Sequence, residues 1–499
     1  MKKFNVTGNC IPEENYMVDI SGKIAEIKKL IDAKYYFTIN RARQYGKTTT
    51  LGMLERTIKS EYTVASISFQ GVSYGNFSSE KNFCESITRH ISKALKFSSA
   101  DKEYAEKWNN SSATDFDSLS EHITEMCEDK KVVLMIDEAD NASDNRIFVK
   151  FLSMLREKYI ARRNGKDYTF HNVILAGVYD LKNMNWNIAA NFEVDMSFSP
   201  AEIATMLGEY EADWHTGMDI MEISDEIYGY TSGYPFLVSR ICQCIDEKLE
   251  KDWTANGIKE VIKILLVEQN TLFDDIFKNL ENNKELHDFI YGLLIVGETG
   301  NYTADDPVIN IGLMYGFLKK SGDRIGIANQ IFEIRMTNYF ISKESRRQKN
   351  TSHVLPNDVI RSGRFDMELC LRKFAEHYAE LFNKTDIEFL ERHGRLLFLM
   401  YLRPLINGGG FYHIESQLTD LRRMDIVVDY GRDQFIIELK LWKGKQYNQD
   451  AYEQLLGYME TKRADVGYLL TFDFRKKGRK QTKAEWLELD GKKIFEVIV

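Results

Sequence analysis

An α/β fold is predicted: a parallel sheet covered on both faces, a mostly helical middle, and a second α/β domain at the C-terminal end. Three observations carry it. Fully apolar β-type runs alternate with helical stretches through residues 21–200, the pattern of a parallel sheet buried on both faces. From about 201 to 345 the pattern becomes mostly helical and acidic. From 386 onward two apolar strands return around a tight turn.

The first runs are YYFTIN (35–40), TVASISF (63–69), VVLMI (132–136) and NVILAGV (172–178), with a fifth expected at 192–198. Helical patterns follow them, notably at 47–59 and 146–163. In the helical middle, strand-like RIGIA (324–328) and the helix behind it suit a winged-helix subdomain. Residues 346–385, polar and then helical, read as a connector. Beyond it come a helix (387–405), a Gly-Gly-Gly break (408–410), a hairpin, a helix (446–462) and a final strand (466–472). The expected domains are therefore 1–205, 206–345, 346–385 and 386–499.

Composition narrows the function classes. A hydrophobic content of 43% with 12% aromatics excludes a disordered chain. Sixty-six basic against 75 acidic residues give a net charge of −9, which excludes a histone-like nucleic-acid coat but leaves room for a local basic groove. The six cysteines (10, 84, 127, 242, 244 and 370) form no CxxC pair, so reduced thiols of a cytoplasmic protein are expected. MKKFNVTGNCIPEENY lacks the apolar segment of a signal peptide. The apolar runs 289–297 and 396–402 fall short of the ~20 residues that span a bilayer, so no membrane partner is expected.

The first run leads straight into RARQYGKTTT. Gly46-Lys47-Thr48 fits the end of a phosphate-binding loop, the Walker A motif G-x-x-x-x-G-K-[ST], with Arg41 in place of the first glycine. Gly46 permits close backbone approach to phosphate, Lys47 reaches the β/γ-phosphates, and the Thr48 hydroxyl faces Mg²⁺. Some 90 residues on, VVLMI ends in Asp137-Glu138, a Walker B pattern in which Asp137 holds Mg²⁺ and Glu138 polarises the attacking water. Either acid alone serves equally well as a helix cap. The two motifs in order, each at a strand end, point to ATP and Mg²⁺ as cofactors. Tyr179 and Asp180 end another strand and suit a sensing role or a surface loop. Arg162 and Arg163 suit an arginine finger toward a neighbouring copy, in a homo-oligomer, or a plain helix C-terminus.

RARQYGKTTTL, VVLMIDEAD, NVILAGVYDLKN, NIAANFEVDMSFSPAEIATML and YTSGYPFLVSRIC together resemble bacterial AAA-like ATPases of the wider STAND/archaeal-type group, over roughly residues 8–345. The resemblance implies a P-loop NTPase core, and places Gly233 and Pro235 as the GxP signature of the helical lid.

In LRRMDIVVDYGRDQFIIELKLW a two-residue turn at Gly431-Arg432 fixes the hairpin register, so that paired residue numbers sum to 863. Asp425 then faces Glu438, a pairing of like charges that needs a cation between them. Lys440, two residues on, shares the face of Glu438. Two acids and a lysine on an apolar hairpin are what a Mg²⁺-dependent phosphodiesterase needs. They are also what a solvated edge hairpin shows, but the flanking Ile, Val and Leu leave little sign of a wet face. Glu391 and Glu415 are candidates to complete a metal shell.

These residues resemble the PD-(D/E)XK nuclease superfamily, with Asp425 as its first acid, Glu438-Leu439-Lys440 as its ExK element, and Gln454 and Tyr458 as its QxxxY helix. Glu391 stands for the helix glutamate. The resemblance implies a Mg²⁺-dependent nuclease acting on nucleic acid, DNA ahead of RNA. Arg422-Arg423 and RKKGRK (475–480) are the basic segments available for backbone phosphates. The expected function is an ATP-hydrolysing protein coupled to a nuclease domain. The alternative is a STAND-like switch whose terminal domain is a non-catalytic docking module.

Overall fold

The computed structural model describes the chain except residues 99–100, 110–112, 143–144, 179–191, 193, 348–357, 383–386, 417–423, 442–444 and 474–482. At 347, 379–382, 387–393, 415–416, 424–425, 441 and 445–450 it describes the backbone alone. Two compact units emerge: Met1–Ala255 with Met314–Gly316, and Asn256–Leu313 with Phe317–Val499.

In the first unit, helices α1 (Ser21–Asp32), α2 (Lys47–Ile58), α3 (Glu80–Ser98), α4 (Lys102–Asn109), α5 (Phe116–Cys127) and α6 (Arg146–Arg163) surround strands β1 (Phe37–Asn40), β2 (Thr63–Ser68), β3 (Val132–Asp137) and β4 (Asn172–Gly177). The strands form a parallel sheet in the order β1-β4-β3-β2, so the chain crosses over between neighbours and β1, at one edge of the described sheet, pairs with β4. Every residue of β3 and β4 is buried, as the uninterrupted apolar runs predict. Helices α7 (Pro200–Trp214), α8 (Ile220–Thr231) and α9 (Pro235–Lys248) follow.

The expected strand at 192–198 does not form among its described residues. Its backbone groups are taken elsewhere: the Val194 carbonyl accepts from Arg41, the Ser197 N–H donates to Asp195, and the Phe198 N–H donates to the Gly233 carbonyl at 2.8 Å. A strand needs those same groups for a ladder.

The second unit begins with α10 (Ala255–Val267), α11 (Thr271–Asn282), α12 (Lys284–Tyr291), β5 (Gly300–Asn301), α13 (Pro307–Met314), β6 (Leu318–Ser321), β7 (Arg324–Ile327) and α14 (Gln330–Arg347). Strands β5-β7-β6 make a small antiparallel sheet, and β7 is the predicted RIGIA strand. A short hairpin, β8 (Ile360–Arg361) and β9 (Arg364–Phe365), precedes α15 (Met367–Phe382) and α16 (Ile387–Ile406).

The last sheet holds β10 (Gly410–Ser416), β11 (Met424–Tyr430), β12 (Asp433–Leu441), β13 (Val466–Phe472), β14 (Lys483–Leu489) and β15 (Lys492–Ile498), with α17 (Lys445–Thr461) between β12 and β13. The order is β10-β11-β12-β13-β15-β14. The hairpin register is the predicted one: Tyr430 pairs with Asp433, Val428 with Phe435 and Ile426 with Ile437. Strand 466–472 is not the last, however. β15 adds to it in parallel, and β14 closes the edge with a half-exposed alternation that carries little apolar signal.

Candidate functional site

In the first unit, the loop between β1 and α2 holds a backbone that only a few residues tolerate. Gly46 caps α2 with φ +74°, and Gln44 is left-handed at φ +56°. Lys47 is 7% exposed, and its ammonium donates to the carbonyls of Arg41 at 3.0 Å and Ala42 at 2.9 Å, inside the loop. Burial pulls its pKa down, opposed by Glu138, Asp140 and Asp137. Thr48 Oγ1 donates to Asp137 Oδ2 at 2.6 Å, and the Glu138 N–H donates to Asp137 Oδ1 at 2.9 Å, so both carboxylate oxygens of Asp137 are engaged. A hydroxyl and a carboxylate held together are hard oxygen donors that suit Mg²⁺, and a helix N-terminus behind a glycine suits phosphate.

Glu138 stands at the end of β3 with φ +53°, a conformation uncommon for glutamate and concentrated at functional sites. Burial, with Asp140 and Asp137 adding repulsion, pushes its carboxyl pKa upward. A general base works only when ionised, so if Glu138 served as the base of a nucleotide hydrolysis, the rate would fall on acidification at a higher pH than an ordinary glutamate gives. A pH–kcat profile checks this; a plateau held down to the usual glutamate range would contradict it. Asp140 belongs to the same cluster, its Oδ1 buried with no hydrogen-bond partner among the described residues. Its place three residues after Asp137, in Asp137-Glu138-Ala139-Asp140, was the available signal.

Arg41 occupies the first glycine position without blocking the loop. Its guanidinium turns back to donate to the Asn40 and Val194 carbonyls, both at 2.8 Å, over the Phe192 ring. Arg162 is likewise committed internally, donating to the carbonyls of Phe170, His171 and Lys34 with its guanidinium over the Tyr36 and Tyr159 rings. Arg163 lies over Tyr159. Tyr179 and Asp180 are outside the described residues.

Gly233 and Pro235 come to the loop. The Tyr234 hydroxyl donates to the Arg43 carbonyl at 2.6 Å, and its ring meets Tyr45 edge-on at 4.6 Å. A Cβ on Gly46 would lie 3.9 Å from the Pro235 ring. Gly233 itself has φ +73°, and a Cβ there would stand 1.9 Å from the Phe198 carbonyl oxygen. Substituting Gly233 by alanine combines left-handed strain with a backbone clash, so it should cost about 3 kcal/mol or more. A thermal melt should drop by roughly 6–12 °C; an unchanged midpoint would refute the clash.

In the second unit, β12 carries Glu438 and Lys440, 1% and 2% exposed. Lys440 Nζ lies 3.6 Å from Glu438 Oε1 and donates to Gln454 Oε1 at 3.3 Å. Gln454 and buried Tyr458 are one turn apart on α17, which packs on this face of the sheet beside Val427, Ile436 and Leu469. Parallel pairing sets Glu438 level with Leu469 and Lys440 level with Thr471.

Asp425 is placed by its backbone in β11. Glu415 pairs with it directly from β10, whereas the β11–β12 pairing ends one residue short of it, at Ile426–Ile437. Extended by one residue, that register would set Asp425 opposite Glu438, as the hairpin predicts. The side chains of Asp425, Glu415 and Glu391 lie outside the described residues, with Glu391 on the backbone of α16; so do Arg422, Arg423 and the basic run 475–480. Among the described residues no three His, Cys, Asp or Glu side chains converge for a metal. The Glu438 carboxylate is the right donor type for a divalent cation.

Sequence reasoning missed Asp429. It is 2% exposed in β11 and accepts from Lys259 of α10 at 2.8 Å and from Gln434 at 3.0 Å. Lys259 is 170 residues away in the chain, so no local pattern signals the pair.

A family model described as an AAA-like domain matches residues 22–300, and one described as the PD-(D/E)XK nuclease superfamily matches residues 411–483. Among solved structures, the chain is similar to the Walker-type ATPase of Pyrococcus abyssi at 11% identity and TM-score 0.47, covering 67% of this chain and 99% of that one. It is also similar to the ORC2 protein of Aeropyrum pernix, solved as ADPNP-ADP complexes, at 12% identity and TM-score 0.35, covering 68% and 98%. No curated protein matches. Among the described residues no helix is long and apolar enough to cross a membrane.

Proposed function

The chain belongs to the AAA-like domain family, and from that premise we propose that it binds and hydrolyses ATP with Mg²⁺ and couples this to cleavage of nucleic-acid phosphodiesters by its PD-(D/E)XK domain. One observation supports both halves. In each unit an acid and a lysine of the candidate site are almost wholly withdrawn from water: Asp137 and Lys47 at 7% each, Glu438 and Lys440 at 1% and 2%. Burying such charges is costly, and a chain with no use for them is more stable with apolar residues there.

In the ATPase core, which we assign to 1–205 with a lid over 206–345, Thr48 and Asp137 would hold Mg²⁺. The ion, when bound, neutralises charge on the phosphates. Lys47 exchanges its loop carbonyls for phosphate oxygens, and Glu138 accepts a proton from the attacking water. In the domain assigned to 386–499, beyond a connector at 346–385, Asp425 and Glu438 would hold the metal, with Glu391 a further candidate. Lys440 orients water or stabilises the developing phosphorane, and Gln454 positions Lys440. The substrate is nucleic acid, DNA ahead of RNA, bound at local basic segments in a chain of net charge −9. We place this activity in the cytoplasm, in a homo-oligomer.

The test is a cleavage panel of single- and double-stranded DNA and RNA with Mg²⁺ and ATP. Wild type should cut at least one substrate and Glu438→Ala none. Intact substrates throughout, with the two proteins indistinguishable, would overturn the nuclease reading in favour of a docking module.

A further inference from the structure

Within the second unit, α10, α11, α14 and α16 enclose a cleft of about 440 Å³ that reaches β10. This volume lies in the range of small-molecule sites. Among the described residues its lining contains Lys263, Arg335 and Arg403 and no carboxylate, in a chain with more acids than bases. Lys263 is partly neutralised by Glu260 at 2.8 Å, so the working positive charge rests on the two arginines.

Arg335 donates from one terminal nitrogen to the Leu266 carbonyl at 2.6 Å, while its Nε is buried with no hydrogen-bond partner among the described residues. Its guanidinium carbon lies 4.2 and 5.6 Å from the ring centroids of Phe273 and Phe277. Phe277 in turn stacks on Tyr339, centroids 4.9 Å apart and planes 23° apart. Arg403 is oriented by the Asn338 carbonyl and the Ser342 hydroxyl through one nitrogen, and a guanidinium has five donors in all. The acids on this flank are Glu281, bonded to Tyr339 at 3.0 Å, and Asp274 and Glu268, which act on Arg335; none of the three lines the cleft.

We propose that this cleft is a binding site for a small phosphate-bearing ligand with a planar ring, of nucleoside monophosphate size. Arg403 and Arg335 bind the phosphate and the ring packs among the apolar lining residues Leu266, Val267 and Ile406. The site is separate from the ATP-binding loop and does not depend on either catalytic reading.

Calorimetric titration of the full-length protein with adenosine and guanosine monophosphate tests it. At least one should bind with a Kd below roughly 1 mM. Arg403→Gln should weaken that binding about tenfold or more, and Lys47→Ala should leave it unchanged. Because Arg403 also bridges to α14, the exposed rim residue Val267 (77% exposed) provides a second variant. Val267→Glu adds a carboxylate without disturbing packing, and should weaken binding by a similar factor. The proposal is overturned if neither nucleotide binds, if Lys47→Ala removes the binding, if both cleft variants bind as wild type does, or if inorganic phosphate binds as tightly as the nucleotides.

Discussion

Lys47→Ala should lower ATP turnover by roughly two to three orders of magnitude, the usual loss when a single preorganised charge at a developing anion is removed. The ammonium is buried in the loop against the Arg41 and Ala42 carbonyls and is the cation nearest in effect to Asp137, Glu138 and Asp140. Alanine removes the larger of the two cationic influences on Glu138, the other being Arg43, so phosphate approach becomes less favourable as well as unassisted. The fold should persist, because Thr48 is exposed and water can reach the vacated carbonyls. Phosphate-release kinetics should therefore show kcat falling in a protein that still melts cooperatively. Near wild-type turnover would remove Lys47 from the mechanism.

Loss of the Glu438–Lys440 pair should produce the second large effect, on cleavage and stability in different directions. Glu438→Gln keeps the shape and removes the metal-binding charge, and cleavage should fall by roughly two to three orders of magnitude. Lys440→Met removes the cation from a carboxylate that is 1% exposed, which should cost about 3–5 kcal/mol. The double variant Glu438→Gln/Lys440→Met buries no charge at this position and should be more stable than Lys440→Met alone. Chemical denaturation of wild type and the three variants checks the cycle. Equal stability of single and double variants would mean that Glu438 does not depend on Lys440.

Much of this was legible in the sequence, for physical reasons. Strands β3 and β4 are buried on both faces, so their apolar runs have no interruption to blur them. The Gly431-Arg432 turn allows one register, and that register is observed. Helix α6 spans the predicted 146–163. The reading failed where local pattern and tertiary demand part. Residues 192–198 look like a strand, but they give their backbone groups to Arg41, Asp195 and Gly233. β14 was missed because an edge strand half in water alternates weakly. The Asp429–Lys259 pair and the arginines of the cleft meet only through folding, over separations that no window of sequence spans.

The central claim is that one chain joins an ATP site to a nuclease site. Cleavage of a nucleic-acid substrate under Mg²⁺, with and without ATP, measured side by side for wild type, Lys47→Ala and Glu438→Gln, tests it most directly. The account predicts ATP-dependent cleavage by wild type, loss of cleavage in Glu438→Gln with ATP hydrolysis retained, and loss of both in Lys47→Ala. Cleavage by Lys47→Ala at the wild-type rate, indifferent to ATP, would contradict it.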